Sequence, residues 1–405
     1  MANFIQERID IPTLATAIGL VSVGLVSIYS ATYDAKMSEL YVKQLVAAGI
    51  GVILLISAAL IPSRTLQLIS LPAYFLSLLL LITVLLIGKQ VSGSTSWFQI
   101  GPLSFQPSEF AKVTTVLALA VYLSRSDVSL TKTKDALIPT LMVLAPVMLI
   151  LKQPDTGTAM IFFGMFLPVL FWGGSSAFTI VALLSPGVVA IAALLGTTPF
   201  FISIVMLGIL IWLTKQNTVS AAVVFSFIVF IGISVQSIYG KLRPYQQKRI
   251  LTFLDPSADP LGAGYNVLQS KIAIGSGGFF GKGYLQGTQT QLNFIPAQWT
   301  DFIFCVPSEE FGFLGAATIL ILFTVLLFRG VRIASTVKNP FGSFVAIGIT
   351  GIFATHIFMN VGMALGLAPV VGIPLPFLSY GGSALLADML MIGLLLNLYA
   401  HRKEY

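Results

Sequence analysis

A chain of 405 residues with 56% hydrophobic and 9% charged residues lies outside the range of soluble globular proteins. Its formal charge of +7 does not mark a nucleic-acid binder, because the basic residues sit between apolar runs and not on one soluble face. The single cysteine, Cys305, excludes an intrachain disulfide, and no Cys/His cluster has metal-ligand spacing.

Apolar runs fall at 11–31, 40–61, 66–87, 108–123, 136–151, 158–173, 177–195, 199–214, 219–238, 302–328, 343–365 and 383–400. These give about twelve candidate helical spans of a bilayer core roughly 30 Å thick, and the weak period-two patterning argues against a barrel. The fold class expected is an all-α polytopic integral membrane protein. No cleavable leader is expected, since 11–31 is itself long enough to span. Placing the N-terminus in the cytoplasm puts Arg8, Arg64, Arg125, Lys215, Arg329, Arg332 and Arg402 inside. Few basic residues then lie outside apart from one long loop, so both termini are expected in the cytoplasm.

That loop, 239–301, is the one long polar segment, and it is expected to be extracytoplasmic. Two other irregular stretches share its side. The segment 88–107, with Trp97, Phe98 and Phe105, is expected to dip along the interface as a loop. The segment 364–382 is rich in Pro and Gly, and irregular backbone this apolar must be buried in protein or line a cavity.

Ionisable groups in such a chain are site candidates. Glu109 and Lys112 are spaced i, i+3 at the start of a span and can pair; a structural ion pair and contact with a charged substrate are both open readings. Asp155, in Lys152-Gln-Pro-Asp155, is either an ordinary turn residue or part of a lining. Gly275-Ser-Gly-Gly278 and Gly281-Lys-Gly283 suggest an anion cradle without being a Walker motif. With Arg243, Arg249 and Lys271 they point to an anionic partner outside the membrane, such as a phosphate at headgroup level. Asp301 is expected to open the helix after the loop as a cap would, with Ser308, Glu309 and Glu310 one or two turns deeper and Ser308 and Glu309 near the same face. His356 and Asn360 share a face at i, i+4 and suit interhelical hydrogen bonds; Asp388 is similarly enclosed.

Several stretches match a known family in order and over most of the chain. They are Gln106-Pro-Ser-Glu109-Phe-Ala-Lys112, Lys152-Gln-Pro-Asp155-Thr-Gly-Thr, Asp259-Pro-Leu-Gly-Ala-Gly-Tyr265, Gln269-Ser-Lys-Ile-Ala-Ile-Gly-Ser-Gly-Gly278, Thr300-Asp-Phe-Ile-Phe304, Glu309-Glu-Phe-Gly312 and Gly372-Ile-Pro-Leu-Pro-Phe-Leu-Ser-Tyr-Gly-Gly-Ser383. With them the chain resembles the SEDS family of bacterial wall polymerases, nearer its rod-shape branch through Gln286-Gly-Thr-Gln. Departures are Trp299 where His is common, Ala297 where Glu is common and Ser96 where Arg is usual. The family usually has ten spans, so the resemblance implies a ten-helix core plus a helical hairpin inserted within 196–238, all one domain over 1–405.

The resemblance also implies a peptidoglycan glycosyltransferase that polymerises lipid II during elongation, releases undecaprenyl pyrophosphate and works with a class B penicillin-binding protein and other membrane proteins of the elongation machinery. Asp301 is the implied catalytic acid. Glu109 and Lys112 match positions the family uses in its central cavity, and Asp155, Arg243, Arg249, Lys271, Glu309, Ser379 and Ser383 are further candidate substrate contacts. No cofactor is fixed; Mg2+ or Mn2+ is the candidate helper for a leaving pyrophosphate. The competing class is a lipid-linked precursor flippase, which many spans and broken helices also suit, although no internal repeat is visible.

Overall fold

In the computed structural model, residues 9–33, 37–91, 93–101, 103–130, 133–215, 217–239 and 264–403 are described. The helices of the first half are α1 (Ile11–Tyr33), α2 (Ser38–Leu60), α3 (Ser63–Ile87), α4 (Pro107–Leu123), α5 (Leu137–Lys152), α6 (Thr156–Trp172), α7 (Ala177–Leu195), α8 (Thr197–Thr214) and α9 (Thr218–Tyr239). After them come α10 (Tyr265–Ser276), α11 (Thr288–Gln291), α12 (Cys305–Glu310), α13 (Gly312–Thr336), α14 (Pro340–Leu365) and α15 (Gly382–Ala400). Among the described residues nine helices are long and apolar enough to cross a membrane, and α5 and α6 are shorter apolar helices. The chain is a multi-pass membrane protein.

α14 and α15 form the centre, with 67% and 72% of their apolar stretches buried against 17% for α8 and α9. α14 packs on α4, α6 and α13, and α15 lies along α2. Local chemistry sets the ends of α14: Asn339 caps it by accepting from the Phe341 amide at 3.0 Å, Pro340 opens its first turn, and Gly366 ends it in the left-handed region at φ 72°. α7, α8 and α9 bury a separate apolar cluster of Phe178, Val189, Ala193, Phe200, Ile211, Ala221 and Ile228.

Two expectations are corrected. The segment 88–107 is not a plain loop: β1 (Lys89–Val91), β2 (Ser94–Ile100) and β3 (Leu103–Phe105) form an antiparallel sheet in the order β1-β2-β3, with Phe98 opposite Phe105. The Ser94 hydroxyl and the Thr95 amide fasten it to the Gln153 carbonyl. The apolar run 302–328 is not one helix either. It turns at 301–304, forms the short α12, and breaks at Gly312 (φ 63°), where a Cβ would come within 2.3 Å of the Gly281 nitrogen. The glycine-rich strand of chain at 277–283 lies directly on this break, which is why both sides are glycine.

Candidate active site

The described parts of the segments 88–107, 152–156, 264–304 and 366–381 meet at one end of the bundle, joined by contacts such as Ser94 to Gln153, Gln106 to Ser383 and Tyr380 to Trp299. Between α14 and α15 the chain from 366 to 381 is irregular and partly enclosed, with Ile373, Leu375, Phe377 and Leu378 at 2% exposure or less. α1 approaches it so closely that a Cβ on Gly24 would stand 2.3 Å from the Phe377 carbonyl oxygen. The amide of Gln44 grips it from α2, donating to the Ser379 carbonyl at 3.2 Å and accepting from the Gly381 amide at 3.1 Å. Gln44 was not a sequence candidate; its signal is a polar amide inside the apolar run 40–61.

Asp301 sits against this segment. It does not cap a helix, because α12 begins at Cys305 with Phe304 before it, and Asp301 lies in the preceding turn. Its main chain is held from outside. The Ser379 hydroxyl donates to the Thr300 carbonyl at 2.6 Å, and the Tyr380 amide donates to the Trp299 carbonyl at 2.8 Å. The Asn360 side-chain amide donates to the Asp301 carbonyl at 2.9 Å and to the Ile373 carbonyl at 2.7 Å. The carboxyl itself is left over: one oxygen stands 3.5 Å from where a Cβ on Gly372 would be, and among the described residues no Lys or Arg pairs with it. Burial pushes its pKa above the ordinary carboxylate value, with the Thr300 hydroxyl offsetting only part.

Beside it runs a second polar chain. Lys112 Nζ, 1% exposed, donates to Glu109 Oε2 at 2.9 Å and contacts His356 Nε2 at 2.8 Å, while His356 Nδ1 lies 3.0 Å from the Pro374 carbonyl. Glu109 and Lys112 are therefore a buried pair, and an ammonium with three donors keeps one for another acceptor. Asp155 caps α6, accepting from the Thr158 amide at 3.0 Å and hydroxyl at 2.8 Å, and Gln106 Nε2 reaches it at 3.3 Å. Burial raises the Asp155 pKa against those bonds. Ser383 accepts from the Gln106 amide and donates to the Ser104 carbonyl; Ser379 accepts from the Leu375 amide besides its bond to Thr300. Both hydroxyls are engaged with main chain, so they brace the site. Asp388 accepts from the Phe377 amide at 3.1 Å and does the same.

Glu309 bonds to the 282–290 segment and not toward Asp301, contrary to the shared face expected of a continuous helix, and Glu310 bonds to the same region. Glu309 receives Lys282 Nζ at 2.7 Å, the Gln289 amide at 2.9 Å, and the Thr290 amide and hydroxyl at 3.0 and 2.8 Å. Burial works to raise its pKa, and these donors more than reverse that, leaving it below the ordinary range. Glu310 takes Ser30, Gln291 and the Leu285 amide, and burial leaves its pKa raised. The two acids thus dock the 282–291 segment onto α12 and α1.

The expected anion cradle is likewise closed. Lys282 pairs with Glu309, and the amides of Gly281, Lys282 and Gly283 donate to the carbonyls of Gly277, Glu309 and Glu310. Glu309→Gln is expected to cost about 1.5–3 kcal/mol, the range for hydrogen bonds to a charged group. Thermal unfolding in detergent and faster proteolysis within 284–294 would register it; unchanged values for both would contradict the docking role.

Of the remaining cations, Lys271 is exposed on α10, with Nζ lying where a Cβ on Gly366 would meet it at 2.6 Å, at the C-terminal end of α14. Arg243 and Arg249 lie outside the described residues. Among the described residues no three His, Cys, Asp or Glu side chains lie together so as to hold a metal ion. Among the described residues, the carboxyl of Asp301 and the ammonium groups of Lys112 and Lys271 keep hydrogen-bonding capacity for a ligand.

A family model described as "FTSW_RODA_SPOVE: Cell cycle protein" matches residues 9–207 and 195–404. The chain is 36% identical over 428 residues to the peptidoglycan glycosyltransferase RodA of Treponema pallidum, covering 97% of this chain and 98% of that protein. It is 35% identical to the peptidoglycan glycosyltransferase MrdB of Escherichia coli K12, covering 98% and 95%. Its fold is similar to a chain in a structure described as "Structural coordination of polymerization and crosslinking by a peptidoglycan synthase complex", with a TM-score of 0.74, 28% identity and 98% and 99% coverage. The chain belongs to the FtsW/RodA/SpoVE family.

Proposed function

We propose that this protein is a peptidoglycan glycosyltransferase of the SEDS type. It polymerises lipid II into β-1,4 glycan strands during cell elongation and releases undecaprenyl pyrophosphate. The glycosyltransferase names of relatives at 35–36% identity support the reaction class. The observation that carries the mechanism is the arrangement at Asp301, a partly buried carboxyl with its main chain pinned by Ser379 and Asn360 and, among the described residues, no cation paired with it.

Asp301 takes the proton from the acceptor sugar's 4-hydroxyl as that oxygen forms a bond to C1 of the lipid-linked chain. The bond from C1 to the pyrophosphate oxygen breaks, and the electron pair leaves on undecaprenyl pyrophosphate. One displacement converts an α-linked phosphate to a β-1,4 bond. Lys271 and the free donor of Lys112, with Arg243 and Arg249, are the groups assigned to the departing charge. Glu109 holds Lys112 in place, and Asp155, Glu309, Ser379 and Ser383 hold the walls.

The protein is placed in the bacterial cytoplasmic membrane with both termini inside and Asp301 at the extracytoplasmic face, as the distribution of Lys and Arg favours. We read residues 1–405 as one domain, with α8 and α9 the inserted hairpin; their separate apolar cluster with α7 supports this. A class B penicillin-binding transpeptidase is the assigned partner, in keeping with the complex of polymerisation and crosslinking that the fold resembles.

The flippase reading is separated in liposomes carrying labelled lipid II. Glycan formation without movement of lipid II between leaflets is expected, with and without the transpeptidase present. Lipid II translocation without polymer would overturn the proposal.

A further inference from the structure

We infer that His356 is a positioning residue that stays neutral and, with Asn360 one turn away, sets the distance between the Lys112 cation and the Asp301 base. The inference rests on the glycosyltransferase reading and concerns a residue that touches neither sugar.

The tautomer follows from the neighbours. A carbonyl oxygen only accepts, so the 3.0 Å contact between His356 Nδ1 and Pro374 requires the proton on Nδ1. Nε2 then has a lone pair, and the Lys112 ammonium donates to it at 2.8 Å. A proton on both ring nitrogens would set two positive donors against each other at that distance inside the bundle, with no acceptor between them. His356 therefore joins one donor and one acceptor without changing charge.

Its two contacts bridge the two halves of the site. On one side lies the Glu109–Lys112 pair on α4; on the other lies Pro374, in the irregular segment that meets the Asp301 turn. Asn360 continues the same ridge of α14. Its two amide protons go to the Asp301 and Ile373 carbonyls, and its own oxygen is buried without a partner. Two adjacent residues of the irregular segment, Ile373 and Pro374, are thus gripped from one helix face, which also holds Lys112 through His356 and Asp301 through Asn360. α14, the 67%-buried central helix, is a rigid base for such a clamp. A displacement of about 1 Å between two groups acting on one transition state costs roughly 10²-fold in rate, so the clamp has a measurable consequence.

The amide of Gln carries one donor and one acceptor, as the neutral imidazole does, and it cannot exchange protons with a substrate. Phe fills the space and offers neither. The test compares His356→Gln and His356→Phe with the parent by the initial rate of glycan formation from lipid II, and by electron cryomicroscopy of each variant. His356→Gln is expected within about tenfold of the parent kcat, whereas His356→Phe falls roughly 10²-fold in kcat with KM changed far less. In the structures, the 372–376 segment and Lys112 should shift in the Phe variant and superimpose in the Gln variant. Equal loss in both variants would assign His356 a proton-transfer role and overturn the inference, as would a parental rate in the Phe variant. The structural comparison stands without any activity: a parent that makes no glycan contradicts the proposed function, while 372–376 unmoved in the Phe variant contradicts the clamp.

Discussion

Asp301→Asn is expected to lower the rate of glycan formation from lipid II by about 10³-fold or more while leaving the protein folded. General base catalysis contributes typically 10²–10⁴-fold, and Asn has the same shape with no capacity to take a proton. Stability moves little because the carboxyl makes no ion pair among the described residues and its turn is held through main-chain carbonyls by Ser379, Tyr380 and Asn360. Burial raises the folded-state pKa of Asp301 above its unfolded value. The carboxyl therefore favours folding fully below the unfolded pKa, and that contribution is lost as pH rises through the folded pKa. At neutral pH the ionised carboxylate is a cost that Asn lacks, so the variant should unfold at a temperature no lower than the parent. For activity the sign is opposite, since only the ionised form is a base. The acid limb of the pH–rate profile should lie above the ordinary carboxylate value of 3.8. A variant with near-parental rate would remove Asp301 from the mechanism.

The second large effect is on stability. Lys112→Met leaves Glu109, 4% exposed, without its cation and is expected to cost about 3–5 kcal/mol, the range for breaking a buried pair from one side. Met preserves most of the packing, so the loss reports charge and not volume. The double variant Glu109→Gln, Lys112→Met removes both charges and should regain most of that stability, although not activity, because the contact assigned to the leaving group is gone. Thermal unfolding of the three variants in one detergent supplies the comparison. A double variant no more stable than Lys112→Met would contradict the account of a buried pair held by mutual neutralisation.

Much of this was legible in the sequence because the membrane makes the pattern simple. Apolar runs such as 11–31 and 383–400 return as α1 and α15 within a few residues, since unpaired backbone in hydrocarbon leaves helix as the local solution. The Glu109–Lys112 pair followed from i, i+3 spacing alone. The expectation that 364–382 is irregular, and buried or lining a cavity, is met for the irregular chain of 366–381, whose 375–379 stretch is buried. What local pattern did not reveal depends on contacts distant in the chain. The partner of Glu309 is Lys282, in a loop whose glycines allow close backbone approach and so resemble an anion cradle. The same approach breaks the run 302–328 at Gly312, and the run's other end is a turn at 301–304, so Asp301 lies in a turn and not at a helix cap. Gln44 was passed over because one amide barely disturbs an apolar run, yet it joins α2 to the Ser379 carbonyl. The β1–β3 sheet was missed because its strands are short, and its anchor, the Gln153 carbonyl, lies 59 residues from Ser94.

The most direct measurement is incubation of the detergent-purified protein with labelled lipid II, followed by digestion with a β-1,4-specific muramidase and analysis of the lipid product. The account predicts muramidase-sensitive strands and free undecaprenyl pyrophosphate from the parent, and neither from Asp301→Asn. Equal strand formation by the two proteins, or none by the parent with its transpeptidase partner present, would contradict it.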